Sequence, residues 1–253
     1  MKLAPLAFRI HRWLSWLIGV QVLLWVAGGL VFSLLPFKAW VKGGDVVQPP
    51  ALKLPASWPV SALPALKAAA SSAEVSAVQA VATARGPALR LKLAGQAQPL
   101  MVPVDGSAWT PPDIDAAQRF AVSMYRGKGA VRDVLRMDAV PPRLGIVDEV
   151  GGRRNLWRVR FDDGLGTRIY IDANSGEFLT ARTEAWVWYD FFWRLHIMDY
   201  SGGEDFNGIL LRSAAVSAAT MVAAGAVLSV LALRRRLRLR GGALSRSGLA
   251  GEP

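Results

Sequence analysis

WLSWLIGVQVLLWVAGGLVFSLLPF, residues 13–37, contains no charged side chain. A second uncharged run covers Ser213–Leu233. As α-helices rising about 1.5 Å per residue, the two runs would measure about 37 and 31 Å, enough to cross a hydrocarbon core about 30 Å thick. The sequence therefore predicts transmembrane helices at residues 13–35 and 206–233. Buried helices of a soluble protein are the alternative.

A cleaved signal peptide is the other interpretation of the N-terminus, which carries Lys2, Arg9 and Arg12 before the apolar run. The apolar region of a signal peptide usually has about 7–15 residues and is followed by an A-x-A cleavage site. The run in this chain is far longer, and no such site follows it. We therefore predict a retained membrane anchor.

The net charge of +11 is concentrated at the two ends of the chain. Residues 1–12 and 234–253 hold nine of the 30 basic residues and one of the 19 acidic residues. Basic residues beside apolar spans follow the positive-inside rule and attract anionic lipid headgroups. The pattern predicts a basic lead and a basic tail in the cytoplasm. It does not indicate nucleic-acid binding, which needs a basic face on a folded domain.

The chain has no cysteine, which excludes disulfides, iron–sulfur clusters and thiolate zinc sites. It also lacks the G-x-S-x-G and H-E-x-x-H motifs and a phosphate-binding loop. We therefore expect no complete enzyme in this chain alone. An Ala- and Arg-rich chain without cysteine fits a bacterial envelope protein, here one of the inner membrane with its central domain in the periplasm.

The region between the spans is predicted to hold an α+β domain. Residues 36–56 contain Gly-Gly and Pro-Pro dipeptides and are predicted to be a linker. Residues 57–110 and 111–184 form two related halves, each a helix followed by strands. Residues 185–205 are rich in aromatic side chains and are predicted to lie at the outer membrane surface. The fold class is thus two transmembrane helices flanking two helix-plus-hairpin repeats.

Local patterns support both halves. In the first half, a helix over about residues 60–70 precedes a hairpin that turns at Gly95. In the second, Asp113 is the predicted N-cap of a helix, and a later hairpin turns at residues 162–164. Alternation in this hairpin predicts that one face of a strand is apolar, with Trp157, Val159 and Phe161.

Three segments together resemble the PepSY-associated transmembrane family. TRIYIDANSGEFL, residues 167–179, is similar to the last strand and turn of a PepSY domain. RIHRWLSWLIG, residues 9–19, resembles the entry to the first helix of these membrane proteins. WRLHIMDY, residues 193–200, resembles the His-bearing segment before a later span. The resemblance implies a PepSY-like extracytoplasmic domain attached to membrane helices.

The resemblance also implies two kinds of function. Members of the family are associated with iron and siderophore uptake and with electron transfer across the inner membrane, and some longer members resemble haem-containing reductases. Other PepSY modules act as peptidase propeptides or inhibitors. This chain has two predicted spans only, which leaves a complete transmembrane redox path in doubt.

The two histidines, His11 and His196, are the candidate cofactor-binding residues, because both lie in family-like segments and imidazole is a common haem ligand. The predicted topology places them on opposite sides of the bilayer, about 30 Å apart. If haem binds, each histidine would need a partner from another copy or subunit. The alternative is that each lies in the headgroup layer and bonds water, lipid phosphate or a neighbour such as Asp199.

Asp172, Asn174 and Gly176 form a turn pattern, and Asp162 and Asp163 form another. Carboxylates in such turns can bind metals, but local hydrogen bonding in a turn is the better explanation of these residues, so we predict no metal site.

Three functions remain open. The first is an inner-membrane accessory protein that binds a membrane or periplasmic partner, in iron uptake or haem-dependent electron transfer. The alternative is a cofactor-free tethered module that regulates an envelope protease or acts as a sensor. A purely structural subunit of a larger complex is the third.

Overall fold

The computed structural model describes residues 3–34, 46–96, 98–200, 202, 205 and 207–248, with the backbone alone for Leu3 and residues 238–248. Residues 36–45 of the predicted linker and 249–253 of the predicted basic tail lie outside the described residues. So do residues 1, 2, 35 and 97, and positions 201, 203, 204 and 206 in and just after the aromatic segment 185–205. The chain divides into two compact units. The first unit contains the described residues up to Leu34 and those from Phe192 onward. The second unit contains the described residues between them.

Five helices and seven strands are described. The helices are α1 (Leu3–Leu34), α2 (Trp58–Ser72), α3 (Ile114–Met124), α4 (Glu184–Ile197) and α5 (Ile209–Gly248). The strands are β1 (Val75–Thr83), β2 (Gly86–Leu93), β3 (Leu100–Pro103), β4 (Val131–Ala139), β5 (Arg154–Phe161), β6 (Arg168–Asp172) and β7 (Phe178–Arg182). The protein is therefore of the α+β class, as predicted.

The helical unit contains α1, α5 and the last residues of α4. Ala4–Leu34 and Ile209–Leu237 are long and apolar enough to cross a membrane, which agrees with the two predicted spans. Both helices are longer than predicted, because α1 starts at Leu3 and α5 continues to Gly248. Arginine, leucine and alanine favour helices, so the basic segments continue the helices of the spans instead of ending them.

The first half of the α+β unit contains α2 and a three-stranded antiparallel sheet in the order β1-β2-β3. The predicted hairpin at Gly95 is the β2–β3 connection. Strand β1 was not predicted from the sequence. The core between helix and sheet includes Ala62, Leu89, Leu91 and Val102, each at most 4% exposed.

The second half contains α3 and a four-stranded antiparallel sheet in the order β4-β5-β6-β7. Asp113 caps α3, since its Oδ1 accepts the Ala116 N–H at 2.8 Å. The predicted hairpin around residues 162–164 is the β5–β6 pair. Its apolar face packs in the core as predicted, with Trp157, Val159 and Phe161 buried.

Candidate functional site

A cleft of about 970 Å³ lies in the α+β unit, where the two sheets meet. Its walls come from β2 and β3 of the first sheet and from β5, β7 and the β6–β7 turn of the second. Its lining includes Arg90, Leu100, Trp109, Arg153, Arg154 and Phe178.

Short contacts hold the two walls together. The Ala84 N–H donates to the Gly176 carbonyl at 2.8 Å, next to a bridge between Thr83 and Glu177. A Cβ added at Gly176 would lie 3.2 Å from the Ala84 nitrogen, and φ at Gly176 is +68°, so glycine suits this contact on both grounds. The Trp109 indole N–H donates to the Asn174 carbonyl at 3.0 Å.

The β6–β7 turn in the wall is organised by Asp172. Its Oδ1 accepts the N–H groups of Asn174 and Ser175 at 2.9 and 2.7 Å. These are the local hydrogen bonds of an Asx turn, so the carboxylate is already used within its own loop. Among the described residues, no group of three His, Asp or Glu side chains is arranged to hold a metal.

A buried ionic cluster adjoins a second cavity, of about 520 Å³. Glu149 Oε1 accepts from Arg168 Nε and Nη2 at 2.9 and 2.6 Å, and its Oε2 accepts from the Tyr170 hydroxyl at 2.8 Å. Arg168 Nη1 also donates to Glu184 at 2.6 Å. Glu149 is 2% exposed and Tyr170 is fully buried.

The electrostatics of this cluster favour the pairing that is observed. Burial raises the pKa of Tyr170, and the negative charge of Glu149 raises it further, so the phenol stays neutral and donates. Burial opposes the charge of Arg168, but Glu149 and Glu184 keep the pKa of Arg168 above its ordinary value. Both oxygens of Glu149 are therefore bonded, and we assign the cluster a structural role.

Asp163 in the β5–β6 turn is another internally bonded carboxylate. Burial opposes its ionisation, but hydrogen bonds from Thr167 and Tyr125 lower the pKa of Asp163 overall. The Tyr125 hydroxyl donates to Asp163 at 2.9 Å, and the Tyr125 ring stacks on Phe161 with centroids 3.8 Å apart. This carboxylate therefore anchors the turn to helix α3.

His11 lies between α1 and α5. Its Nδ1 is 2.9 Å from the Met221 carbonyl oxygen, so Nδ1 carries the proton and donates. A Cβ added at Gly225 would lie 3.1 Å from His11 Cε1, so the ring packs where α5 has no side chain. Ser15, one turn further along α1, donates to the Met221 sulfur at 3.4 Å.

His196 lies near the end of α4, against α1. The Trp25 indole donates to the His196 carbonyl at 2.7 Å, and the Gln21 amide donates to the Leu195 carbonyl at 3.0 Å. The imidazole packs beside Gly28 and among the rings of Trp25, Phe32 and Trp193, whose centroids lie 6.0–6.4 Å away. Its Nδ1 is buried and has no hydrogen-bond partner among the described residues.

The structure does not bring the two histidines together. His11 is 17 positions before Gly28, which His196 contacts, and this separation along one helix corresponds to about 25 Å. A single chain therefore does not fit a haem held by both histidines. Each could supply one axial ligand at most.

The cleft and the ionic cluster were not among the residues that the sequence singled out. The residues that line the cleft are spread between positions 90 and 179, and they share no sequence motif. One signal for the cluster is visible in β6, where Arg168 and Tyr170 share a face opposite Ile169 and Ile171. Comparison of the chain with protein-family models, curated proteins and solved structures finds no match.

Proposed function

We propose that this chain is a two-pass inner-membrane accessory protein that presents its α+β domain in the periplasm, where the domain binds an envelope protein. The topology is supported by the helical unit. His11 is close to Gly225, and Ser15 is close to Met221, so α1 and α5 are antiparallel. The basic start of α1 and the basic part of α5 thus lie at the same end, as the positive-inside rule requires for two cytoplasmic termini.

The order of elements supports the PepSY-like interpretation of the domain. Each half contains a helix followed by an antiparallel meander, of three strands in the first half and four in the second. This order agrees with two related repeats. It is the basis on which we propose a PepSY-associated protein, a class that includes protease regulators and iron-uptake components.

The cleft carries the proposal of partner binding. With a volume of about 970 Å³ and walls from both sheets, it is a concave surface where polar and apolar groups converge, which is typical of binding sites. The carboxylates of Asp172 and Glu177 in its described lining are already bonded within the fold, which favours binding over catalysis. A cofactor-free binding module is therefore the function that the geometry supports best.

Site-specific crosslinking tests this function. A photoreactive residue at Leu100, which lines the cleft and is 39% exposed, should give a discrete adduct with an envelope protein in host cells. The matched control is Leu135 in β4, which is 47% exposed and does not line the cleft. Equal labelling from both positions, or none from Leu100, would refute the cleft as the partner-binding surface.

Haem-dependent electron transfer is the second candidate, favoured by the buried Nδ1 of His196, for which the described part of the chain provides no hydrogen-bond partner. Because one chain does not fit a two-histidine site, a second copy or subunit would have to supply the other ligand. A reduced spectrum with haem bands, lost in His196→Ala, would support this candidate. Colourless protein from haem-replete cells would contradict it.

A further inference from the structure

Two edge strands border the cleft. Strand β3 pairs with β2 alone and β7 pairs with β6 alone, so each is an outer strand of its sheet in the described part of the chain. Leu100 of β3 and Phe178 of β7 both line the cleft. An edge strand presents unpaired main-chain groups, and an extended peptide can pair with them as an added strand.

In the described lining of the cleft, the charged side chains that remain available to a ligand are positive. Its two carboxylates are already used, since Asp172 accepts two N–H groups of its own turn and Glu177 pairs with Arg90 at 3.0 Å. Arg153 and Arg154 also line the cleft, and both are exposed. Within residues 46–96 and 98–191, neither guanidinium has a hydrogen bond or an ion pair.

The remaining lining is apolar and aromatic, including Leu100, Trp109 and Phe178. The Trp109 ring is fixed because its N–H is bonded to the Asn174 carbonyl. Rigid aromatic surface beside exposed arginines is the composition that anchors polypeptides in binding sites. The forked guanidinium group also matches a carboxylate better than it matches a neutral side chain.

We propose that the cleft binds an extended acidic segment of a partner protein, added as a strand to β3 or β7. Its carboxylates pair with Arg153 and Arg154, and its apolar side chains contact Trp109 and Phe178. This inference rests on the proposed function, because it names the partner chemistry of the same cleft.

The first test uses full-length protein in detergent and a blocked peptide of about ten residues, in which Val and Thr alternate around two central Glu residues. Calorimetry should show that the Glu peptide binds at least about tenfold more tightly than the same peptide with Gln. The Arg153→Gln/Arg154→Gln double variant should remove this preference. Arg85→Gln/Arg119→Gln, which changes the net charge equally at exposed positions outside the cleft, should retain it.

Two further probes separate the parts of the proposal. A Glu peptide methylated at alternate main-chain nitrogens should bind at least about tenfold more weakly, because it cannot donate to an edge strand. Pyrophosphate should fail to displace the Glu peptide. Full displacement by pyrophosphate, equal binding of the methylated peptide, or equal binding of the Gln peptide would each overturn the proposal. The Leu100 crosslink is independent of these results, so it would still report on the proposed function.

Discussion

Glu149→Gln is expected to lower the free energy of unfolding of the α+β unit by about 3–5 kcal/mol, because it leaves the buried Arg168 without its main carboxylate. The side chain of Arg168 is 4% exposed and that of Glu149 is 2% exposed, so water cannot replace the lost bonds. The Tyr170 hydroxyl would also lose an ionic acceptor. Arg168→Met should cost a similar amount, since it leaves the Glu149 carboxylate buried with one hydrogen bond.

Hydrogen exchange of full-length protein in detergent, followed by mass spectrometry of β5 and β6, measures this loss separately from the helical unit. The matched control is Arg143→Met. Arg143 pairs with the same Glu184 at 2.9 Å, but both side chains are at least 40% exposed, so its loss should cost about 0–1 kcal/mol. The double variant Glu149→Gln/Arg168→Met should cost less than the sum of the single variants, because no buried charge remains.

Equal protection of β5 and β6 in Arg168→Met and Arg143→Met would contradict a stabilising role of the buried cluster.

Gly106→Ala is expected to destabilise the first half of the α+β unit by about 2–5 kcal/mol, for two separate reasons. The φ angle of Gly106 is +78°, which costs an L-residue about 1–2 kcal/mol. In addition, a Cβ at this position would overlap the main-chain carbonyl of Ser61 in α2. A main-chain atom cannot rotate away, so the overlap should add about 1–3 kcal/mol.

Gly95→Ala is the control that separates these two costs. The φ angle of Gly95 is +76°, almost the same as that of Gly106, but a Cβ there would meet no described atom within 4 Å. Gly95→Ala should therefore cost the conformational term alone, about 1–2 kcal/mol. Exchange protection of β2 in the two variants gives the comparison. If both variants lost the same protection, the contact with Ser61 would contribute nothing to stability.

The sequence predicted those elements whose residues carry strong local patterns. Strand β5 alternates buried and partly exposed residues, and Asp113 precedes an apolar helix, so both could be identified from their own neighbours. Strand β1 could not be identified from its own neighbours. Its sequence VSAVQAVAT contains three alanines and three polar residues without a regular alternation, and it becomes a strand by pairing with β2 over its full length. Tertiary pairing decides such a segment, and local propensity does not.

The residues of the candidate site also differ in whether a local sequence pattern or a long-range contact reveals them. The histidines were identified because both lie in family-like segments, but their surroundings depend on which helices pack together. Glu149 follows an apolar segment and has no motif, and its partner Arg168 is 19 residues later. The cleft is a consequence of how two sheets meet. A local pattern shows at most one side of such long-range contacts, as the shared face of Arg168 and Tyr170 in β6 does.

The contact of His11 with Gly225 also has a consequence for the lipid around the helices. With Ser15 beside Met221, it pairs the uncharged part of α5 with about residues 3–23 of α1. The uncharged parts of the two helices therefore lie side by side only along about residues 13–23 of α1. This overlap is about 16 Å long, or half the thickness of a hydrocarbon core. In the two-pass topology that we propose, we expect such a hydrophobic mismatch to be met by local thinning of the bilayer and by snorkelling of Arg9 and Arg12 to the headgroups, and to favour thin membranes over thick ones.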